Sequence, residues 1–187
     1  MVIFKKQFLP SYFFLDSLDD KLKKEILSIK NISLVYKSKQ INMKEITKIK
    51  NFCKQNRIKI FIFDNVKIAL QVISDGIVFP SNNNIIINKL SLKKNFKIIG
   101  IVHNQKEFFF KKRQNCHSIM LSPLNFNHKF KIKEILGPIK FNLTSLHWNI
   151  DLMALGGINF ENVKNINLTK AKSIAFATLL KKNPPTN

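Results

Sequence analysis

The sequence predicts an α/β protein in which eight parallel strands, connected mainly by helices, close into a compact (β/α)8 TIM barrel. Eight short runs of apolar, β-branched and aromatic residues recur along the chain. They begin about 20 to 30 residues apart, which leaves room for a helix and two short loops between consecutive strands. The runs are nearly continuous rather than alternating, as expected for parallel strands that are buried on both faces.

Each element follows from its local pattern. The predicted strands cover residues 11–16, 32–37, 59–64, 76–79, 97–103, 118–122, 151–155 and 173–178. Amphipathic segments predict helices over residues 19–29, 43–53, 105–113 and 159–166. In the first of these, Leu22, Ile26 and Ile29 share one face behind an acidic start. The segment 82–95 receives no assignment, because its asparagine run and its isoleucines fit neither period.

The chain length predicts a single domain over residues 1–187, since no linker, repeat or change of composition divides it. TIM barrels typically contain about 250 residues, so we expect shortened helices here. We also expect a shortened C-terminus, because the polar segment 181–187 follows the last predicted strand closely.

The formal net charge of +21 comes from 32 basic and 11 acidic residues. Only Arg57 and Arg113 are arginines, and the lysines are spread along the whole chain. Proteins that recognise nucleic acids rely on arginine for bidentate and stacked contacts. We therefore expect no specific nucleic-acid partner and attribute most of the lysine to a biased base composition. Nucleic-acid binding through the lysines is the alternative.

The compartment is predicted from features that the sequence lacks. No apolar stretch approaches the roughly 18 residues that a membrane-spanning helix needs. Residues 1–10 lack the pattern of a secretory signal. Cys53 and Cys116 fit neither a zinc site nor a disulfide framework. We expect a cytoplasmic protein without a membrane partner, and the oligomeric state is left open.

The acidic residues are few, so their positions are informative. Asp16 and Asp64 each end a predicted strand, and the active sites of TIM barrels lie at the C-terminal strand ends. A carboxylate at that position can hold Mg²⁺, which neutralises a diphosphate. The alternative, equally supported for Asp64, is that the aspartate caps the helix that follows.

A glycine pair follows the seventh predicted strand, at Gly156 and Gly157, and leads towards a predicted helix. Backbone N–H groups at such a turn bind anions, and glycine allows a phosphate to approach closely. TIM barrels commonly bind phosphate here, together with the loop after the eighth strand. We therefore predict that Gly156, Gly157, Ala177 and Thr178 bind substrate, with a simple tight turn as the alternative.

Further polar residues end other predicted strands. Lys37 and Lys39 follow the second strand, where they would meet a polyanion at the barrel mouth. His103 and Ser122 end the fifth and sixth strands and are expected to line the substrate site. The four histidines show no spacing typical of a metal site.

Four segments, in order, resemble the thiamine-phosphate synthase/TenI family of small TIM barrels, and the resemblance spans about residues 12–180. Residues 62–70 and 74–79 resemble the family's "INDR-x-x-LA…ADGVHLGQ" stretch. Residues 97–103 resemble its "iiGvS-x-H" strand, and residues 120–124 resemble its "GP-(I/V)-F" strand. Residues 153–158 are similar to "vAiGGI", which is the most specific piece.

The resemblance implies a transferase of thiamine biosynthesis. Such an enzyme joins hydroxymethylpyrimidine diphosphate to thiazole phosphate and releases pyrophosphate, with Mg²⁺ as cofactor. It implies that Asp64 is a metal ligand and that Lys37, Lys39 and Lys129 are catalytic cations. It also implies that Gly157 and the backbone at 177–178 bind the thiazole phosphate.

Two departures from the family pattern shape the expectations. The run of asparagines at residues 82–84 stands where the family has an acidic second metal ligand, and residues 125–129 replace its threonine-rich "PTxTK" loop. An asparagine ligand lacks the charge of a carboxylate, so we expect weaker Mg²⁺ binding. The alternatives are a TenI-like enzyme that processes thiazole phosphate, or a catalytically degenerate barrel that binds a phosphorylated ligand.

Overall fold

Eight parallel strands form a closed barrel in the computed structural model, which describes residues 9–87, 92–126, 130–159 and 161–177. Each strand pairs with the next along the chain, and the eighth pairs with the first through Ser11 and Ile174. The strands are β1 (Ser11–Leu15), β2 (Ile32–Tyr36), β3 (Lys59–Phe63), β4 (Gly76–Phe79), β5 (Lys97–Val102), β6 (Ser118–Leu121), β7 (Asp151–Leu155) and β8 (Ser173–Phe176). The predicted (β/α)8 TIM barrel is confirmed.

Five α-helices lie among the described residues. They are α1 (Asp20–Leu27), α2 (Met43–Gln55), α3 (Val66–Gln71), α4 (Gln105–Arg113) and α5 (Gly137–Thr144). Two 3-10 helices, Ile132–Glu134 and Val163–Leu168, complete the connections. Several helices are short, as predicted: α1 and α5 have 8 residues each and α3 has 6. The C-terminal segment 181–187 lies outside the described residues, and no described helix is long and apolar enough to cross a membrane.

Four of the helices begin at an Asp or Asn whose side chain accepts a hydrogen bond from the backbone N–H three residues later. These N-cap residues are Asp19, Asn42, Asn65 and Asn104. Each cap satisfies one of the N–H groups that have no partner within the first helical turn. The chain therefore turns from strand to helix at positions that the local sequence specifies.

The apolar residues of the strands divide between two layers, because successive side chains point to opposite faces of a strand. The barrel interior is filled by Phe14, Val35, Phe61, Val78, Ile99, Ile101, Met120, Met153 and Ala175. The alternate residues, such as Phe13, Leu34 and Ile62, pack against the surrounding helices. Burial on both faces explains why the strand sequences are continuously apolar.

The predicted α-helix over residues 159–166 is wrong. The side chain of Asn159 accepts hydrogen bonds from the N–H groups of Glu161 and Asn162, and the side chain of Asn162 accepts one from the N–H of Asn159. These local bonds compete with the helical pattern. A 3-10 helix, Val163–Leu168, forms instead. In the unassigned segment 82–95, the described residues 82–87 and 92–95 contain no helix.

Candidate active site at the barrel mouth

Most of the predicted strands end one or two residues earlier than expected, and polar or small residues occupy the positions after them. These residues are Asp16, Lys37, Asp64, His103, Ser122 and Ala177. All strands of a parallel barrel point the same way, so their C-terminal ends meet at one rim, the barrel mouth. The structure therefore brings these six residues to one end of the barrel.

Lys37 lies above aromatic rings at the mouth. Its backbone N–H donates to the carbonyl of Leu15 at 2.8 Å, which fixes its position at the end of β2. Its Nζ lies 4.3 Å from the centroid of the Phe63 ring and 5.9 Å from that of Phe14. An ammonium group over a ring face is attracted by the negative face of the ring. Lys37 is thus a cation held at the entrance of the barrel, and its contact with an anion stays a prediction.

Lys39 and Asp16 are both exposed, and they follow the ends of the neighbouring strands β2 and β1. Asp16 accepts a hydrogen bond from the hydroxyl of Ser17 at 3.4 Å. Lys39 follows Lys37 by two residues, in the loop between β2 and α2. Both residues belong to loops at the mouth side of the barrel.

Asp64 has a left-handed backbone conformation at the end of β3, with φ of 55°. Its N–H donates to the carbonyl of Val78 at 2.9 Å, which ties it to the neighbouring strand β4. The next residue, Asn65, is the N-cap of α3. The capping role that the sequence left open for Asp64 therefore belongs to Asn65, and the Asp64 carboxylate is available for other contacts.

Asn83 contacts Asp64 directly. Its Nδ2 donates to Oδ1 of Asp64 at 2.6 Å, while its own Oδ1 accepts from the N–H of Ile85 at 2.8 Å and from Nε2 of Gln114 at 3.3 Å. Of the three asparagines at 82–84, Asn83 is thus the one whose side chain contacts Asp64. It presents an N–H to Asp64, where a second ligand would present oxygen.

Lys111, which no sequence pattern singled out, is fully buried in α4. Its Nζ donates to the carbonyl of Asn83 at 2.6 Å and to Oε1 of Gln114 at 2.9 Å. Burial lowers the pKa of its ammonium group, an effect that the nearby Cys116, Asp64 and Glu107 oppose. One signal was present, because Lys111 follows the buried Phe108 by three residues and so shares its inward face of α4.

Gly156 and Gly157 both have positive φ, of 94° and 64°. A Cβ at Gly157 would lie 2.3 Å from the carbonyl oxygen of Phe126 and 2.5 Å from that of Asn125. The glycine pair is therefore required by close packing against the loop after β6, which supports the tight-turn alternative. The N–H groups of Gly157 and Ile158 have no acceptor among the residues that the structure describes, so the same turn also offers donors to an anion.

Asn125 joins this turn to the loop after β6. Its N–H donates to the carbonyl of Gly156 at 3.1 Å, and its Oδ1 accepts from Nδ2 of Asn165 at 3.4 Å. Its buried Nδ2 has no hydrogen-bond partner in the described structure. The loop after β6 and the turn after β7 thus form one packed unit.

His103 and Ser122 meet at the mouth, and their predicted role in lining the substrate site stays a prediction. Nδ1 of His103 lies 2.9 Å from the backbone carbonyl of Ser122. A carbonyl can only accept, so Nδ1 carries the hydrogen and Nε2 of the neutral ring is left as an acceptor. The N–H of His103 donates to Oε2 of Glu107 at 2.7 Å, and its ring packs 5.3 Å from that of Phe130.

Ala177 is exposed directly after β8. Lys129 and Thr178 lie outside the described residues, so their roles stay predictions.

The residues at the mouth fit a Mg²⁺ ion that arrives with a diphosphate. Mg²⁺ is usually bound by one or two carboxylates, water and substrate phosphates. No group of three His, Cys, Asp or Glu residues that would hold a metal occurs in the described part of the chain. Asp64 would be a single protein ligand, because the oxygen of the Asn83 side chain is turned away from it. Water and substrate phosphates would therefore supply the other ligands of the Mg²⁺ ion.

Neither cysteine is a candidate nucleophile. Cys53 and Cys116 are buried, and burial raises the pKa of each thiol to about 12. Lys111 lowers the pKa of Cys116 by a smaller amount. A thiol with such a pKa is protonated at neutral pH and does not attack.

Comparisons of the sequence with known proteins point to one family. The sequence profile of the thiamine monophosphate synthase family, TMP-TENI, matches residues 18–180. Thiamine-phosphate synthase of Flavobacterium psychrophilum is 30% identical over 139 residues, which cover 71% of this chain and 68% of that protein. Thiamine-phosphate synthase of Prochlorococcus marinus is 29% identical over 133 residues, which cover 70% of this chain but only 38% of that protein.

A solved structure supports the fold. Thiamine phosphate pyrophosphorylase from Pyrococcus furiosus superposes with a TM-score of 0.73 at 18% identity, covering 91% of this chain and 86% of that one. The family resemblance is confirmed, and with it the predicted transferase class and the predicted place in thiamine biosynthesis. By the profile match over most of its length, the chain belongs to the thiamine monophosphate synthase family.

Proposed function

We propose that this barrel joins hydroxymethylpyrimidine diphosphate to thiazole phosphate and releases pyrophosphate, as the names of its relatives indicate. The observation that carries the proposal is the placement of Lys37 and Asp64 at the ends of the neighbouring strands β2 and β3. A cation and a carboxylate at adjacent strand ends can bind a diphosphate, the first directly and the second through Mg²⁺.

The bond that breaks joins the pyrimidine's methylene carbon to the diphosphate oxygen, and its electron pair leaves with the diphosphate. The thiazole nitrogen then supplies the pair that forms the new carbon–nitrogen bond. Lys37, held above Phe63, stabilises the negative charge that grows on the departing diphosphate. Lys39 and Lys129 are proposed to add to this positive charge.

Asp64 is proposed to bind the Mg²⁺ that accompanies the diphosphate. When bound, Mg²⁺ supplies positive charge to the leaving group. The task of the protein is to fix the carboxylate, and it does so through the backbone bond to Val78 and the side-chain bond to Asn83. A fixed carboxylate needs little rearrangement when the metal arrives.

The thiazole phosphate is proposed to bind at the turn after β7. The N–H groups of Gly157 and Ile158 face no acceptor among the described residues, and Ala177 and Thr178 follow the adjacent strand β8. His103 and Ser122 border the site from β5 and β6. Phosphate is well matched to converging backbone N–H groups.

The test is incubation of the purified protein with both substrates and Mg²⁺, followed by chromatographic detection of thiamine phosphate. We expect product, and we expect Asp64→Ala to abolish turnover while thiazole phosphate still binds. Asp20→Ala is the matched control, since Asp20 is an exposed acid on the outer helix α1. Formation of no thiamine phosphate above background would contradict the proposal.

One observation favours the alternative function, a TenI-like or catalytically degenerate barrel. The Asn83 side chain already satisfies Oδ1 of Asp64, so the carboxylate has a partner without metal. A protein of that kind would bind thiazole phosphate yet form no product from both substrates. The same incubation, combined with calorimetric titration of thiazole phosphate, separates the two functions.

A further inference from the structure

We propose that Lys111 is a positioning residue of the active site: through Gln114 and Asn83 it sets the hydrogen bond that orients Asp64. Lys111 lies in α4, and its ammonium group bonds to Asn83 and Gln114. It acts on the loop after β4, residues 80–87, whose Asn83 reaches Asp64. The inference rests on the proposed role of Asp64 in metal-diphosphate binding.

The buried position of Lys111 indicates a specific role. An unpaired ammonium group in the protein interior is strongly unfavourable. Here the side chain is fully buried, and its Nζ lies 5.9 Å from the ring centroid of Phe79. A Cβ on Gly100 would come within 2.8 Å of the Lys111 Cγ, so the absence of a side chain on β5 creates the space for the lysine stem.

The hydrogen-bond network has only one possible orientation. The ammonium group of Lys111 can only donate, so the Gln114 atom that faces it must be Oε1. The amide nitrogen of Gln114 therefore points to the other side, where it donates to the carbonyl of Ile85 at 2.7 Å and to Oδ1 of Asn83.

The orientation of Asn83 follows by the same reasoning. The N–H of Ile85 can only donate, so the Asn83 atom that it meets must be Oδ1. The Nδ2 of Asn83 is thereby turned towards Asp64. The buried ammonium group of Lys111 supports this orientation in two ways: it holds the Asn83 carbonyl directly, and it turns the amide nitrogen of Gln114 towards Oδ1 of Asn83.

Removal of the Lys111 ammonium group should loosen the hydrogen bonds that hold Gln114 and Asn83 in place. Lys111→Met keeps the apolar stem but leaves the Asn83 carbonyl and Gln114 Oε1 without their donor. Residues that orient a metal ligand typically change metal affinity by about 10- to 100-fold when they are mutated. We expect Lys111→Met to weaken binding at Asp64 by about 10-fold.

The experiment titrates Mn²⁺ in the presence of inorganic pyrophosphate and follows free Mn²⁺ by electron paramagnetic resonance. Lys112→Met is the matched control, because Lys112 is the exposed neighbour of Lys111 in the same helix. Hydrogen exchange of residues 80–87 is measured on the same proteins at a temperature well below unfolding. Gln114→Met serves as a second variant if Lys111→Met does not fold, since it removes the donors to Asn83 and Ile85.

A double-mutant cycle distinguishes positioning from general loosening of the fold. If Lys111 acts through Asn83, then Lys111→Met should weaken Mn²⁺-pyrophosphate binding in the natural background and add nothing in an Asn83→Ala background. Faster exchange in residues 80–87 together with this non-additivity supports the proposal. Unchanged exchange, or an equal loss of affinity in both backgrounds, overturns it. A third outcome is that the natural protein binds no Mn²⁺-pyrophosphate while Lys111→Met still exchanges faster in residues 80–87. That result would support the role of Lys111 in orienting Asn83 and would contradict the metal role of Asp64.

Discussion

The side chain of Asn83 donates to the carboxylate of Asp64, with 2.6 Å between Nδ2 and Oδ1. Two carboxylates at this distance would repel each other unless a cation lay between them. The amide removes that requirement, because it supplies a donor to Asp64 in the absence of metal. The contact between Asn83 and Asp64 at the barrel mouth therefore forms without a bound cation.

Asn83→Asp is predicted to make the contact at Asp64 depend on a bound cation. One oxygen of the new carboxylate keeps the bonds from Ile85 and Gln114, so the other faces Asp64. We expect the metal-free protein to lose about 1–3 kcal/mol of unfolding free energy, because a hydrogen bond becomes a contact between like charges. We expect Mn²⁺ affinity, measured by resonance titration, to rise at least about tenfold, since carboxylates are stronger ligands than amides for hard cations.

Asn84→Asp is the control for this substitution. It adds the same charge to the neighbouring, exposed position of the loop. We expect little change in unfolding free energy and in Mn²⁺ affinity. An equal gain of affinity in both variants would mean that general charge, and not a second ligand beside Asp64, is responsible.

The barrel was predictable from the sequence because parallel strands carry a local signal. Their burial on both faces forces continuous apolar runs, and the strand starts at Ser11, Ile32 and Lys59 coincide with the predicted ones. Periodicity wrongly predicted an α-helix over 159–166, since the side chains of Asn159 and Asn162 bond to nearby backbone instead. Such competition depends on the conformation that the loop finally adopts.

The sequence predicted at which end of the barrel Lys37 and Asp64 lie, but it did not predict how the Asn83 amide is oriented. Parallel topology alone places Lys37 and Asp64 at the same rim. The Asn83 amide is oriented by the N–H of Ile85 in its own loop and by Gln114, which lies about 30 residues away in the chain. A pattern of residue types cannot specify which atom of an amide faces a neighbour, because hydrogen bonds that form only in the folded chain decide it.

Lys37→Met is predicted to lower kcat/KM for the diphosphate substrate by about 10²- to 10³-fold, the usual effect of removing one group that stabilises transition-state charge. Methionine retains apolar contact with Phe63, so the fold should be preserved. Steady-state kinetics check the value, and Lys37→Arg should retain more activity than Lys37→Met because it keeps the charge. The control is Lys54→Met, an exposed lysine in the last turn of α2, which is the end of that helix remote from the β2–α2 loop. A loss below threefold in Lys37→Met would remove Lys37 from the mechanism.

Gly157→Ala is predicted to cost about 2–5 kcal/mol of unfolding free energy, from left-handed strain together with overpacking. Its Cβ would meet the carbonyl oxygen of Phe126 at 2.3 Å, so the turn after β7 must shift. Thiazole phosphate binding should weaken with it, as measured by calorimetric titration. Gly137→Ala is the matched control, because Gly137 has a φ of 59° but nothing within 4 Å of an added Cβ. We expect it to cost only about 1–2 kcal/mol, from backbone strain alone.

The buried thiols are predicted to make stability decrease in alkaline solution. Burial raises the pKa of Cys53 from 9.0 to about 12, so the folded protein retains a proton that the unfolded chain loses above pH 9. The stabilisation is therefore fully present below pH 9 and is lost as the pH rises towards 12. At pH 10, one such thiol should lower the unfolding free energy by about 1.4 kcal/mol relative to pH 8. Urea unfolding of the natural protein and of Cys53→Ala at both pH values isolates this contribution. The difference in unfolding free energy between the two proteins should be smaller at pH 10 than at pH 8 by that amount. A difference that is the same at both pH values would contradict the prediction, because Cys53 would then ionise as readily in the folded protein as in the unfolded chain.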